Sequence, residues 1–313
     1  MYEKYYNNLN EELKKYFKII SNEFPLFLIP YIETKTMMRL NNISFFCAME
    51  YGNKDLYKFK YYVSRLTHSI STSLIVWNFT KDKKQTLAAL FHDAGTPATS
   101  HVIDYLNNDY VVQESTEKNL KDFLLKDNKI KTLLTKDNLS IEDVTNFKKY
   151  TLVDNKRPKL CADRLDGIFL TSLAWAKNID LDNINKIYKN IYITTNEYSE
   201  KEYSFKNKKY AEDLINLNNK FNELTNDILD YNSMQMLSNI IKYLIEQKII
   251  KYNDLYILDD HSIFKIINKE SSKDKILNDK LKDFTTLENI QTKNIPKLKQ
   301  RKLNPLINQN RYY

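Results

Sequence analysis

The scarcity of glycine constrains the fold of this chain more than any other feature of its sequence. Three glycines and six prolines occur among 313 residues, far below the usual share of these residues in globular proteins. Tight hairpin turns most often require glycine, because it adopts positive φ without strain. A fold built from many short strands would need more of them. The sequence therefore predicts an all-α, mainly helical protein.

The spacing of apolar residues supports helices in the first part of the chain. Leu66, Ile70 and Leu74 recur every four residues, as the buried face of a helix requires. We expect one helical domain over residues 1–178 and a smaller α or α+β accessory region over residues 179–313. In that second region, the aromatic and β-branched stretch NIYITTNEYSEKEYSFKN predicts a short hairpin.

Cysteine content and apolar patterning indicate a cytoplasmic protein. The two cysteines, Cys47 and Cys161, are far apart in sequence, which excludes a disulfide scaffold and a cysteine zinc site. The longest apolar run, FPLFLIPYI, is too short to cross a bilayer. The first residues mix acids and lysines and lack the pattern of a secretory signal. We therefore expect a soluble protein without a membrane partner.

The net charge of +8 is compatible with an anionic partner. Lysine, asparagine, isoleucine and tyrosine are abundant everywhere, however, and the charges are mixed along the chain. This pattern indicates a general compositional bias more than a nucleic-acid-binding surface. Nucleic acid is therefore a weaker candidate partner than a small phosphorylated substrate. Separately, we expect the chain to form a homo-oligomer.

Histidine is rare in this chain, and its distribution points to a metal site. Three of the four histidines lie between residues 68 and 101. His68 falls within one predicted helix, the doublet His92 and Asp93 ends the next, and Asp163 lies in a much later helix. Two imidazoles and two carboxylates suit a borderline divalent transition metal. These four residues are our candidate metal ligands.

The motifs around these ligands resemble those of the HD superfamily of phosphohydrolases. They are SRLTHS around His68, AALFHDAGTPATSH through the doublet, and CADRLDG around Asp163. The similarity covers roughly residues 60–180. It implies an HD-domain helical bundle that holds one or two metal ions and hydrolyses phosphate esters or anhydrides of nucleotides. The metal would be manganese, iron, cobalt, nickel or zinc, with magnesium as a further candidate.

Within the superfamily, the stretch from His92 to Asp104 looks most like the deoxynucleoside triphosphate triphosphohydrolase branch, the dGTPase-like enzymes. In that branch a histidine and an aspartate follow the His-Asp doublet at similar distances. The resemblance implies that His101 and Asp104 act beside Asp93 in catalysis. It also implies a deoxynucleoside triphosphate as the substrate, with inorganic triphosphate released.

The sequence departs from that branch at two positions. Thr96 stands where the branch commonly has a histidine, and Gln113 occupies the approximate place of the histidine that assists the leaving group. We assign both residues to substrate binding. Glu114 then becomes the candidate general acid, with Glu117 as its alternative. The departures leave open which phosphate bond is cleaved.

Three further residues near the ligands are candidates for substrate binding. Arg65 lies three residues before His68 and on the same helix face, where its guanidinium would neutralise phosphate oxygens. Arg164 follows Asp163 directly, and Asp166 lies one helical turn beyond it. For Arg164 and Asp166, an ion pair is the alternative role.

Several other functions are compatible with the same sequence features. A phosphatase for nucleoside monophosphates or a cyclic-nucleotide phosphodiesterase would use the same ligands. A di-iron oxygenase would need additional histidines, which the chain has in short supply. A non-catalytic nucleotide sensor or nucleic-acid-binding protein would draw on the basic stretch at residues 290–313. Kinase, serine-hydrolase and zinc-protease functions lack their sequence motifs.

Overall fold

A computed structural model of the protein describes residues 1–113, 115 and 120–311. The expectation of a mainly helical chain is confirmed, since the described residues contain sixteen α-helices. The HD-domain arrangement of these helices stays a prediction. The helices are α1 (Tyr2–Asn8), α2 (Glu11–Ile20), α3 (Leu28–Ile32), α4 (Lys35–Arg39), α5 (Arg65–Thr80), α6 (Lys83–Phe91), α7 (Val102–Leu106), α8 (Leu120–Leu125), α9 (Asn128–Lys136), α10 (Ile141–Thr145), α11 (Ala162–Thr171), α12 (Leu181–Lys189), α13 (Lys208–Thr225), α14 (Ile228–Glu246), α15 (Asp260–Ser271) and α16 (Lys275–Thr286).

A small sheet accompanies the helices in the second half of the chain. Its four strands are β1 (Ile191–Thr195), β2 (Lys201–Phe205), β3 (Leu306–Ile307) and β4 (Asn310–Arg311), and they lie in that order. The predicted hairpin is confirmed, because β1 and β2 pair antiparallel. Strand β3 joins β2 in parallel, and β4 pairs with β3. The C-terminal stretch is therefore paired with the hairpin, and the described residues after 178 contain both helices and strands.

Helix α5 lies at the centre of the molecule. Every residue from Arg65 to Val76 is buried, which is typical of a helix enclosed on all sides. Its first turn begins at Ser64, whose hydroxyl accepts a hydrogen bond from the Thr67 amide. Serine hydroxyls within the helix donate to its own carbonyl oxygens, as Ser71 does to Thr67. The burial of this helix fixes the position of any side chain that its first turn presents.

Helices α6 and α11 bring the other candidate ligands to α5. Helix α6 begins at the N-cap residue Asp82 and ends at Phe91, so His92 and Asp93 lie in the turn that follows. Helix α11 packs against α5 and carries Asp163 in its first turn. Three segments that are distant in sequence thus converge at one end of α5.

Two apolar cores are assembled across the predicted domain boundary. One core unites α1 to α6 with α8 to α13 and the hairpin, and the other unites α7 with α14, α15 and α16. Helix α7 from the first part packs on α14 from the second. The domain boundary at residue 178 stays a prediction. Within the described ranges, no helix is both long enough and apolar enough to cross a membrane.

Candidate metal centre and cavity

Three candidate ligands meet within a few ångströms. The Nε2 atoms of His68 and His92 lie 3.3 Å apart. The Oδ1 atom of Asp163 lies 3.0 Å from the first of these nitrogens and 3.5 Å from the second. All three groups offer an atom that could bind a common cation. The later helix α11 therefore brings its carboxylate to the same point as the two imidazoles.

The orientation of the two imidazoles is fixed from behind. The Nδ1 atom of His68 lies 2.7 Å from the Asp166 carboxylate, and that of His92 lies 2.7 Å from the carbonyl oxygen of Ala89. A carbonyl oxygen only accepts, so Nδ1 of His92 carries the hydrogen. In the neutral ring, Nε2 then presents a lone pair towards the centre. This arrangement of an outer acceptor behind a ligating histidine is common at metal sites.

The separations among these donor atoms fit a shared cation. For a metal–ligand distance of about 2.1 Å, two ligands lie about 3.0 Å apart at a right angle and about 3.4 Å apart at the tetrahedral angle. The observed separations of 3.0 and 3.3 Å fall in this range, and the third, 3.5 Å, lies just above it. Two lone pairs aimed at each other would repel, whereas a cation between them would satisfy both. The chemistry of the donor set therefore fits a divalent transition metal.

Asp93 lies beside this group at a slightly greater distance. Its Oδ2 atom is 3.9 Å from Nε2 of His68 and 3.8 Å from Nε2 of His92. The same oxygen accepts a hydrogen bond of 2.9 Å from Nη1 of Arg65. Arg65 therefore holds Asp93 in place, and its guanidinium also stacks on the Phe45 ring. Asp93 is positioned to join the ligand set or to contact a water molecule next to it.

The charges of the cluster compensate one another in the buried site. Burial raises the pKa of Asp93, but the neighbouring His92 and Arg65 outweigh burial and hold the pKa below its usual range. Burial lowers the pKa of His92, but the Asp93 and Asp163 carboxylates outweigh it and raise the pKa to about 10. The carboxylates are therefore ionised at neutral pH.

A second potential ligand group shares one member with the first. Asp154 and Cys161 have donor atoms close to the Asp163 carboxylate. Burial raises the pKa of the Cys161 thiol, and the thiol donates towards Asp154 over 3.6 Å. Metals bind the thiolate and not the thiol. We therefore assign the cation to the His68, His92 and Asp163 group.

A cavity of about 200 Å³ opens next to the ligands. His68, His92, Asp93 and Asp163 form part of its wall. The other predicted site residues in the wall are Arg65, His101, Gln113 and Arg164. The structure thus brings most of the sequence candidates together around one space. The candidate acid Glu114, and its alternative Glu117, lie outside the described residues.

Three candidates lie behind the cavity wall that the described residues form. Asp166 is fully buried, and its carboxylate contacts His68 and accepts a hydrogen bond of 2.6 Å from Tyr16. Asp104 is also fully buried, and its Oδ2 lies 2.8 Å from Nδ1 of His101. The sequence interpretation gave Asp166 a substrate contact, but both of its oxygens are occupied by the protein. Asp166 and Asp104 therefore orient His68 and His101. The third candidate outside the wall is Thr96.

Thr96 and Arg164 both make hydrogen bonds within the protein, and their predicted roles in substrate binding stay predictions. Thr96 is fully buried outside the wall, and its carbonyl oxygen accepts a hydrogen bond from Arg39. Its position stabilises the turn after the doublet and keeps its side chain away from a substrate in the cavity. Arg164 does reach the cavity, but its guanidinium donates to the carbonyl oxygens of Lys159 and Asn155. These bonds fix its orientation along the wall.

The cavity wall also contains charged residues that the sequence interpretation missed. Arg157 precedes α11, Asp230 lies in α14, and Lys299 and Arg301 come from the C-terminal stretch. One signal was available in the sequence, because only six arginines occur among 48 basic residues. Arginine is favoured over lysine where a planar fork must bind an oxyanion. In a lysine-rich chain, the few arginines are therefore candidates for oxyanion binding.

Comparison with known proteins gives distant similarity. No family model matches the chain. Over 108 residues, or 34% of the chain, it is 29% identical to the uncharacterized protein YdhJ of Bacillus subtilis. Over 115 residues, or 37% of the chain, it is 30% identical to the metal-dependent phosphohydrolase cns2 of Cordyceps militaris. Each match spans 33% of the relative's length.

These similarities, together with the cluster of histidines and aspartate, support an HD-like phosphohydrolase. They do not extend to the dGTPase-like branch, because neither relative's name specifies a nucleotide.

Proposed function

We propose that this protein is a metal-dependent phosphohydrolase that acts on a nucleotide, with a deoxynucleoside triphosphate as the leading substrate. The observation that carries the proposal is the convergence of His68, His92 and Asp163 at the wall of a cavity. Similarity to a relative named as a metal-dependent phosphohydrolase supports the same class. The four arginines in the cavity wall suit a phosphorylated substrate.

The residues around the ligands have separate tasks in this proposal. A divalent cation bound there supplies Lewis acidity and activates water at neutral pH. Asp93, held by Arg65, orients the attacking water through its carboxylate. His101 lies in the cavity wall, where it contacts the leaving group, and Asp104 fixes its ring. Glu114 remains the candidate acid from sequence alone.

Direct measurement of turnover tests the proposal. The purified protein, loaded separately with manganese, iron, cobalt, nickel, zinc or magnesium, would be incubated with nucleoside triphosphates, monophosphates and cyclic nucleotides. We expect metal-dependent release of a phosphate species from at least one of them, and its identity reports which bond is cleaved. The His92→Ala and Asp93→Ala variants should lose at least about 100-fold in rate.

The exposed His261 provides a matched control for these variants. The His261→Ala variant removes the same side chain at a position outside the cavity wall and should keep the full rate. Absence of turnover with every metal and nucleotide, from a protein that binds metal at this centre, would contradict the proposed activity. Release from monophosphates alone would assign the phosphatase alternative.

A further inference from the structure

Arginine is concentrated in the cavity. Four of the six arginines in the chain line its wall, although lysine supplies most of the positive charge elsewhere. These four are Arg65, Arg157, Arg164 and Arg301. The remaining two have structural partners: Arg39 donates to main-chain carbonyl oxygens, and Arg311 pairs with glutamates of the sheet region.

Two of the cavity arginines have no carboxylate at ion-pairing distance among the described residues. Arg157 donates to the carbonyl oxygen of Lys302 over 3.3 Å. Arg301 donates to the Thr225 hydroxyl over 2.9 Å and to the Gln113 side chain over 3.4 Å. All these acceptors are neutral. The two guanidinium groups therefore carry net positive charge into the cavity.

The cations of the wall repel one another. Burial lowers the pKa of Arg157 to about 10, and the charges of Arg164 and Arg301 act in the same direction. The carboxylate that compensates Arg301 is Asp230, which acts on it only through space. Gathering like charges in a half-buried wall costs free energy unless an anion occupies the space between them. This arrangement of charges therefore indicates that the cavity binds an anionic ligand.

The C-terminal stretch that carries two of these cations is held firmly on the cavity. We call residues 298–303 the C-terminal strap. Its main chain accepts from Asn218 over 2.6 Å and donates to Asn222 over 2.7 Å, both at Arg301. At Lys299 the amide donates to the carbonyl oxygen of Tyr110 over 3.0 Å. Side-chain amides recognise the strap backbone here, so its cations are in fixed positions.

We propose that the C-terminal strap is part of the substrate site, where Arg301 acts with Arg157 to bind the phosphate groups that are not cleaved. This inference rests on the proposed function and narrows its substrate to compounds with two or more linked phosphates. Guanidinium forks bind phosphate oxygens in pairs. A single phosphate held at the metal would leave most of this wall unused.

Binding of inorganic polyphosphate tests this role without any turnover. Tripolyphosphate, pyrophosphate and orthophosphate would be titrated calorimetrically into the full chain, both as purified and after dialysis against a chelator. We expect tripolyphosphate to bind at least about tenfold more tightly than orthophosphate. Arg301→Gln and Arg157→Gln should each weaken tripolyphosphate binding about tenfold or more, as expected for loss of a charge-assisted hydrogen bond.

Lys297 offers a matched control, because it is exposed, precedes the strap directly and lies outside the cavity wall. Lys297→Gln removes the same charge and should change the affinity less than about twofold. Equal affinities in the Arg157→Gln, Arg301→Gln and Lys297→Gln proteins would overturn the inference, and so would equal affinity for orthophosphate. If Arg301→Gln fails to fold, Arg157→Gln decides alone, since the Arg157 guanidinium makes one hydrogen bond in the described structure.

The outcomes separate this inference from the proposed function. Arginine-dependent tripolyphosphate binding by a protein that hydrolyses no nucleotide would support the strap and contradict the phosphohydrolase activity. Metal-dependent hydrolysis of a nucleotide without arginine-dependent polyphosphate binding would support the activity and overturn the role of the strap.

Discussion

At the scale of single residues, the state of His68 depends on the carboxylate behind it. Its Nδ1 atom lies 2.7 Å from Asp166, which is fully buried and also accepts a hydrogen bond from Tyr16. A carboxylate in this position keeps the hydrogen on Nδ1 and increases the basicity of Nε2. The sequence spacing placed Asp166 on the same helix as the ligand Asp163, but it did not reveal that the side chain faces His68.

We therefore expect Asp166→Asn to weaken metal binding. Loss of the negative charge behind His68 should lower the affinity about 10- to 100-fold, the usual range for such outer partners. Competition with a chromogenic chelator measures the affinity. Tyr16→Phe keeps the Asp166 carboxylate in contact with His68, so the loss of metal affinity in this variant should be smaller than in Asp166→Asn. A metal affinity in Asp166→Asn equal to that of the unmodified protein would contradict the orienting role.

Asp230 gives the protein a pH-dependent stability. Burial raises its pKa to about 7, although the charge of Arg301 opposes the shift, and its Oδ1 atom has no hydrogen-bond partner in the described structure. The folded chain therefore binds this proton more tightly than the unfolded chain does. The stability of the folded chain therefore falls as pH rises from about 4 to about 7.

The Asp230→Asn variant removes this titration. Its free energy of unfolding relative to the unmodified protein should increase by about 2 kcal/mol or more between pH 5 and pH 8, given about 1.4 kcal/mol per unit of pKa shift. Urea unfolding at both pH values measures the difference. A stability difference that is the same at pH 5 and pH 8 would show that Asp230 does not titrate in this range.

At the scale of elements, α15 is tied to the loops that flank the cavity. Asp260 at its start accepts hydrogen bonds from the Ser44 amide over 2.9 Å, the Thr99 amide over 2.5 Å and the Tyr51 hydroxyl over 2.9 Å. Thr99 belongs to the turn that leads to His101. A helix from the predicted accessory region thus fixes the path of a loop from the predicted helical domain of residues 1–178.

Asp260→Ala should be strongly destabilising for this reason. It leaves two buried backbone amides without acceptors, at a cost of about 1–3 kcal/mol each. The neighbouring Asp259 is a fitting control, because it caps the same helix from a more exposed position through the Ser262 amide. Asp259→Ala should cost only about 1 kcal/mol. Equal losses in chemical unfolding would mean that Asp260 does not anchor the loops.

The elements also show what the sequence could predict. The helix end at His92 and Asp93 followed from an apolar helix interrupted by AGTP, which is local information. The hairpin followed from local composition as well. The position of Arg301 in the cavity wall could not be predicted from local sequence. It depends on contacts between the C-terminal strap and α13, which are distant from each other in sequence. A basic, proline-containing segment gives no local sign of which surface it will contact.

At the scale of the whole molecule, the candidate site is assembled from most of the chain. Its ligands come from α5, the turn after α6 and α11, while the cavity wall includes residues from α13, α14 and the strap. Separation in sequence makes such a site absent from the unfolded chain. Any ligand that binds there must therefore stabilise the folded state by mass action.

Metal ions should accordingly raise the melting temperature of the protein. At a free concentration of 100 times the dissociation constant, binding contributes about 2.7 kcal/mol, which corresponds to an increase of about 5 °C for a chain of this size. Thermal melting followed by circular dichroism, with the metal added and then removed by chelator, measures the change. The increase should be absent in His92→Ala, because the convergent donor set is broken, and retained in His261→Ala. An equal increase in both variants would mean that the stabilising ion binds elsewhere, since only His92 belongs to the cluster that α5 and α11 complete.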